Sequence, residues 1–246
     1  MRLPLPALLL IPPSATPLRR FSRVAMSSAS PLPSGSAPEP NFFRDNVYRD
    51  ALAAGKSVPW DTKKHQPALE AAVGCFAGKV LDVGCGLGDN SRWIGSLQAV
   101  EKVTAVDFAP LCIKQAIERG DEGGKVSFVV ADVFELKNSL DCTYDTLLDS
   151  AVFHCIGDDD TQRRYLAAVT PYVKPGGKLV MLVFSDRNPD PWMGPRRISP
   201  AHAAALCGEA GWTVDSLDNN VYYEDTMGRN GGKGGHALIL TATKPL

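Results

Sequence analysis

Apolar residues in this chain come in short compact runs, and between the runs they recur at helical spacing. Lys79 to Val83, Val103 to Asp107, Val126 to Val130, Tyr144 to Asp149 and Lys178 to Phe184 are dense in valine, leucine and aromatic residues. Runs of that length and composition predict buried strands. Trp93, Ile94 and Leu97, then Ile113 and Ile117, are spaced to line one side of a helix. Pro110 opens the second of these helices, which runs to Arg119. Gln66-Pro67 begins a short helix to Phe76, Asp158 to Asp160 cap a helix over Thr161 to Val173, and Ser199-Pro200 starts one that ends at Ala210. A sixth strand is expected within Trp212 to Tyr223 and a seventh over His236 to Thr243. Strands separated by helices predict an α/β fold: a seven-stranded, mostly parallel sheet with helices on both faces. No helix separates the last two strands, so the last strand should be antiparallel.

The first run ends in Asp82-Val83-Gly84-Cys85-Gly86-Leu87-Gly88-Asp89-Asn90. This is strand, tight glycine turn, helix. Glycines at 84, 86 and 88 admit a sharp turn and let a ligand approach the backbone, because no Cβ intervenes. The helix that follows offers unpaired N–H groups. The spacing Gly-x-Gly-x-Gly is not the dinucleotide spacing Gly-x-Gly-x-x-Gly. Asp82, just before the glycines, repels a pyrophosphate and suits an ammonium group. Asp107 ends the second run, where an acid takes the two hydroxyls of a ribose. A ligand with a ribose, a cationic amine and no phosphate fits S-adenosyl-L-methionine better than NAD.

Val80 to Gly88, Asp107 and Ala131-Asp132-Val133 resemble the cofactor motifs of class I S-adenosylmethionine-dependent methyltransferases, over roughly residues 42 to 244. Upstream, Pro59-Trp60-Asp61 and Gln66-Pro67-Ala68 resemble the thiopurine methyltransferase-like branch. The resemblance implies a Rossmann-like fold and methyl transfer from S-adenosyl-L-methionine to a small-molecule acceptor. It places Asp82 at the amino group of the methionine moiety and the backbone of Gly84, Gly86 and Gly88 against the cofactor. Asp107 takes the ribose, Phe108 covers the adenine, Asp132 and Val133 stand beside the ring, and Trp60 closes over the site.

Composition separates a tail from this domain. Residues 1–41 hold four arginines, many Ser, Pro and Ala, and no acid before Glu39, the composition of a chloroplast or mitochondrial transit peptide. Translation from Met26 would give a cytoplasmic form. On the resemblance, residues 42–246 are expected to form the methyltransferase domain. Net charge is −1, which argues for neither nucleic acid nor an anionic membrane surface as partner. The six cysteines show no Cys-x-x-Cys pair, so neither a disulfide frame nor a metal site is expected. No apolar run reaches the ~18 residues a membrane helix needs.

Acceptor chemistry must sit outside the carboxyl ends of the strands. His154 and Asp149, beyond strand four, are the candidate catalytic pair, His154 as a general base. Trp192 and Arg196 in the long loop after strand five, and Tyr223 after strand six, are the candidate acceptor-binding residues; Arg196 suits a carboxylate. Methyl transfer needs alignment and exclusion of water more than covalent help. Two other activities fit the fold class. An aminopropyl-type transferase would want several acids for a polyamine, and they are scattered here. An NAD-dependent oxidoreductase would want the other glycine spacing. A non-catalytic cofactor-binding protein is the reading outside enzymes.

Overall fold

The computed structural model describes residues 58, 60–188, 195–224 and 234–246. All fall within the compact unit Gly35–Leu246. Residues 1–41, expected to be a transit peptide, and Trp192 lie outside the described residues.

Strands β1 (Gly78–Val83), β2 (Val100–Asp107), β3 (Val126–Val130), β4 (Tyr144–Ser150), β5 (Val173–Phe184), β6 (Thr213–Tyr222) and β7 (Gly235–Thr243) form one sheet in the order β3-β2-β1-β4-β5-β7-β6. The first five pair in parallel, and β7 lies antiparallel to both β5 and β6. β5 begins at Val173, earlier than the sequence suggests. Its Pro175-Gly176-Gly177 lies within the strand, with Gly176 at φ +76°.

Among the described residues the α-helices are α1 (Asp89–Ser96), α2 (Pro110–Glu118), α3 (Asp159–Val169) and α4 (Pro200–Glu209). The segment Pro67–Cys75 is a 3₁₀ helix rather than an α-helix. The expected caps form: Asp158 accepts the N–H of Thr161 at 2.7 Å, and Ser199 accepts that of His202 at 3.1 Å.

Strand residues alternate between two cores, as a period of two requires. Leu81, Val83, Leu147, Leu179, Met181, Leu238 and Leu240 face α3 and α4. Val80, Leu148, Val180, Leu182, Phe184 and Ile239 face the 3₁₀ segment, α1 and α2. The chain steps outward from β1 to β2 and β3, then returns to the other side of β1 with β4. That reversal opens a crevice beyond the carboxyl ends of β1 and β4, where open α/β sheets bind ligands.

Candidate active site

The glycine turn stands at that crevice. Gly84, Gly86 and Gly88 all have positive φ, at 65°, 56° and 83°. At Gly84 there is a second reason for glycine. A Cβ there would overlap a methyl group of Val152, in the turn after β4, so only glycine lets the two turns meet. Gly88 is the N-cap of α1, and its missing Cβ leaves room for the ring of Phe128 from β3.

Asp107 joins the loops after β1 and β2. It accepts the N–H of Gly86 at 3.1 Å on one oxygen and that of Ala109 at 3.0 Å on the other. Asp82 is buried and takes the hydroxyl of Ser91, from α1, at 2.6 Å on Oδ2. Burial drives the Asp82 carboxyl up to about 7, with the nearby Asp107 and Asp149 adding to it against the Ser91 hydrogen bond. Burial likewise drives Asp107 up to about 6, against the hydrogen bonds from Ala109, Gly86 and Phe108. Two acids held above their usual range, side by side in a crevice, favour a cationic ligand that will stabilise the ionised form.

The segment from Trp60 to Gln66, together with Val58, lies against these loops as a strap. Val58 is buried with Leu87 of the glycine turn and with Ala109 and Cys112 of the loop and helix after β2, and Trp60 packs against the group. Phe108 is half-buried next to Asp107.

Residues 80–177 match a family described as a methyltransferase domain. Among solved structures, the subject of work on the conversion of a disulfide bond into a thioacetal group during echinomycin biosynthesis is 28% identical. The match covers 80% of this chain and 91% of that one, at a TM-score of 0.64. The N-methyltransferase NodS from Bradyrhizobium japonicum, in complex with S-adenosyl-L-homocysteine, is 16% identical over 82% and 100% of the two chains, at a TM-score of 0.62. The 1,6-didemethyltoxoflavin-N1-methyltransferase from Burkholderia thailandensis is 24% identical over 84% and 87%, at a TM-score of 0.58. These last two show likeness of fold. No curated protein matches.

Residues 80–177 form a methyltransferase domain. The residues of the site fit S-adenosyl-L-methionine as its cofactor. Ser91 occupies Oδ2 of Asp82 and leaves Oδ1 for an ammonium group. Asp107 takes the N–H of Gly86 on one oxygen and that of Ala109 on the other, and a carboxylate has further lone pairs for ribose hydroxyls. The cofactor supplies a methyl group already activated on sulfur, and the protein supplies alignment and cover.

On the acceptor side the structure corrects two expectations. Asp149 is fully buried and spent on its own turn. It accepts the N–H groups of Val152 (2.9 Å) and Phe153 (3.1 Å) and the hydroxyl of Tyr165 (2.7 Å). These bonds hold Ala151 at φ +76°, a strained conformation for a residue with a Cβ. Asp149 therefore shapes the turn and does not reach an acceptor. His154 is buried, and its Nδ1 accepts the N–H of Phe184 at 2.8 Å. That bond fixes the neutral ring with its proton on Nε2 and occupies the lone pair a base would use. His154 instead stacks on Phe184, centroids 4.6 Å apart, and Tyr222 meets Phe184 edge-on at 5.2 Å.

The other expected residues are placed as follows. Asp132 is exposed and accepts the N–H of Phe134 at 2.9 Å, as a turn acid does. Val133 lines an open cleft of about 730 Å³ with Phe134, Leu136 and Tyr172. Arg196 donates its backbone N–H to the carbonyl of His154 at 2.9 Å and pairs with Asp159 at 2.7 Å, while its buried Nη1 finds no partner among the described residues. Tyr223 leaves its side chain exposed and its backbone held by Gln66.

Sequence reasoning weighed Tyr222 on the acceptor side and missed Phe184. Phe184 is the last residue of β5, so the rule that selected the loops would have found it one residue earlier in the chain. It also missed Arg92, Arg119 and Asp61 as a connected set, because nothing local marks charges far apart in sequence as partners.

Proposed function

We propose that this methyltransferase acts on a small molecule through a soft sulfur nucleophile. The observation that carries the reading is the buried aromatic group of His154, Phe184 and Tyr222, which gathers the ends of β5 and β6 and the turn after β4, with both candidate bases already engaged. An acceptor there receives no help in losing a proton, so it must bring its own nucleophile. A thiol ionises near pH ~8.5, well below an ordinary amine or hydroxyl, and its thiolate is strongly nucleophilic. Sulfur also packs well against aromatic rings. The acceptor sulfur would gain the methyl group as the methyl–sulfonium bond of the donor breaks, leaving S-adenosyl-L-homocysteine, and the thiol proton would go to water.

Two further features support sulfur. The 28% identical protein is described with a disulfide as its starting group. Pro59-Trp60-Asp61 and Gln66-Pro67-Ala68 resemble the thiopurine methyltransferase-like branch. Residues 1–41 are, on the same reading, an address to an organelle.

The test is a panel of thiols, amines, phenols and halide ions incubated with the full chain and S-adenosyl-L-methionine, with release of S-adenosyl-L-homocysteine measured. Thiols should be turned over fastest, and more so as pH rises toward their ionisation. Preferential turnover of amines or phenols overturns the assignment.

A further inference from the structure

The strap from Val58 to Gln66 is fastened at both ends. At its far end, the side chain of Gln66 is tied to Tyr223 and its backbone N–H donates to Asn90 of α1 at 2.9 Å. Nearer Trp60, the Asp61 side chain is wholly buried. Both of its oxygens take the guanidinium of Arg119, at 2.9 and 2.7 Å, and Lys63 adds a contact at 2.5 Å. Arg119 is the C-cap of α2.

The charges continue inward from there. Arg119 reaches Asp89, the first residue of α1, at 3.4 Å, and Asp89 meets Arg92 at 3.5 Å. Arg92 donates to the carbonyls of Leu87 (2.8 Å), Ala116 (2.7 Å) and Gly120 (2.6 Å). Leu87 belongs to the glycine turn. A connected set of ion pairs and hydrogen bonds therefore runs from the strap to the backbone that cradles the cofactor.

We propose that the Asp61–Arg119 pair is a latch that retains the cofactor. Both are positioning residues: they hold Val58 and Trp60 down on Leu87 and Ala109, over the crevice. A carboxylate is buried at such a place only while its partner is there, so the pair forms with the strap seated and breaks when it lifts. Arg119 is partly exposed and Lys63 largely so, at 24% and 63% of their side chains, so water reaches the latch from outside and it opens without disturbing the sheet. The inference rests on the glycine turn being the cofactor site.

The test is release of radiolabelled S-adenosyl-L-methionine from the full chain, chased with excess S-adenosyl-L-homocysteine. Wild type should release slowly. Asp61→Asn and Arg119→Gln should each release at least about tenfold faster, a fraction of what breaking a buried pair costs. The double variant should release no faster than the quicker single one, because both remove one interaction. The Michaelis constant for the acceptor should hold. Arg119→Lys, which keeps the charge and loses the fork, gives the same comparison if Asp61→Asn fails to fold. Unchanged release in folded single variants, or additive effects in the double variant, overturns the latch. A wild-type chain that binds no S-adenosyl-L-methionine overturns the cofactor reading itself.

Discussion

Gln66 donates its side-chain N–H to the carbonyl of Tyr223 at 2.9 Å and accepts the N–H of the same residue at 2.8 Å. An amide side chain thus pairs with the end of β6 as a neighbouring strand's backbone would. Gln66 is buried, so these bonds are not readily replaced by water. Gln66→Leu leaves both backbone groups of Tyr223 without this partner and should cost about 1–3 kcal/mol. Urea unfolding of the two proteins measures it. A difference well under that range would mean that the bonds are exchanged for water without loss.

Cofactor affinity should rise with pH. Asp82 and Asp107 have folded-state values of about 7 and about 6, raised above their ordinary values. Between about pH 4 and those values, the folded ligand-free protein holds more protons than the unfolded chain. The stability contribution is therefore greatest below that window and is lost as pH climbs through it. A cationic ligand favours the ionised acids, so binding strengthens over the same window and levels off above about pH 7. Calorimetry with S-adenosyl-L-methionine from pH 5 to 8 reads this directly, and Asp82→Asn should flatten the upper part of the curve. Affinity independent of pH in the wild type would remove both acids from the ligand's surroundings.

Asp107→Ala should weaken cofactor binding more than it weakens the fold. With the ribose held as we propose, it removes charge-assisted hydrogen bonds each worth roughly 1.5–3 kcal/mol. It also frees the N–H groups of Gly86 and Ala109, which loosens the two loops. Binding close to wild type would exclude the ribose contact.

Gly84→Ala should impair binding for two separable reasons. The residue sits at φ +65°, where a Cβ costs roughly 1–2 kcal/mol, and the added carbon meets Val152. Adding Val152→Ala restores room and not the backbone preference, so the double variant should recover binding in part. Full binding in Gly84→Ala alone would show that the turn shifts without consequence for the ligand.

Phe184→Leu should act on the acceptor. It removes the ring on which His154 stacks and against which Tyr222 packs, without touching Asp82 or Asp107. The expected result is a raised Michaelis constant or lowered turnover for the acceptor, with the dissociation constant for S-adenosyl-L-methionine nearly unchanged. Loss of cofactor affinity with steady acceptor kinetics would place the aromatic wall on the cofactor's side.

The strands were legible because their apolar runs are short and bounded. Val126 to Val130 matches β3 residue for residue, and the antiparallel end follows from the missing helix between β6 and β7. β5 began earlier than expected because a proline and two glycines read as a turn, although the strand continues through them. The glycine turn was legible because φ > 0 and close approach demand a particular residue. His154 was not, because a histidine after β4 looks alike whether its nitrogen takes a substrate proton or the N–H of Phe184. Asp149 was misread for a related reason. A carboxylate satisfied by the turn just after it cannot be told by spacing from one facing a ligand. Asp61 lies 58 positions from Arg119, and no periodic pattern connects them.

The anchor between Gln66 and Tyr223 spans 157 positions. On a ribosome, the glycine turn, β2 and Asp107 are all made long before the far fastening of the strap has anything to hold. A nascent chain released before β6 would lack β7 and its share of both cores as well as one end of the cover. The covered site is therefore a property of the nearly finished chain, and fragments that stop short of β6 should not retain their cofactor as the whole protein does.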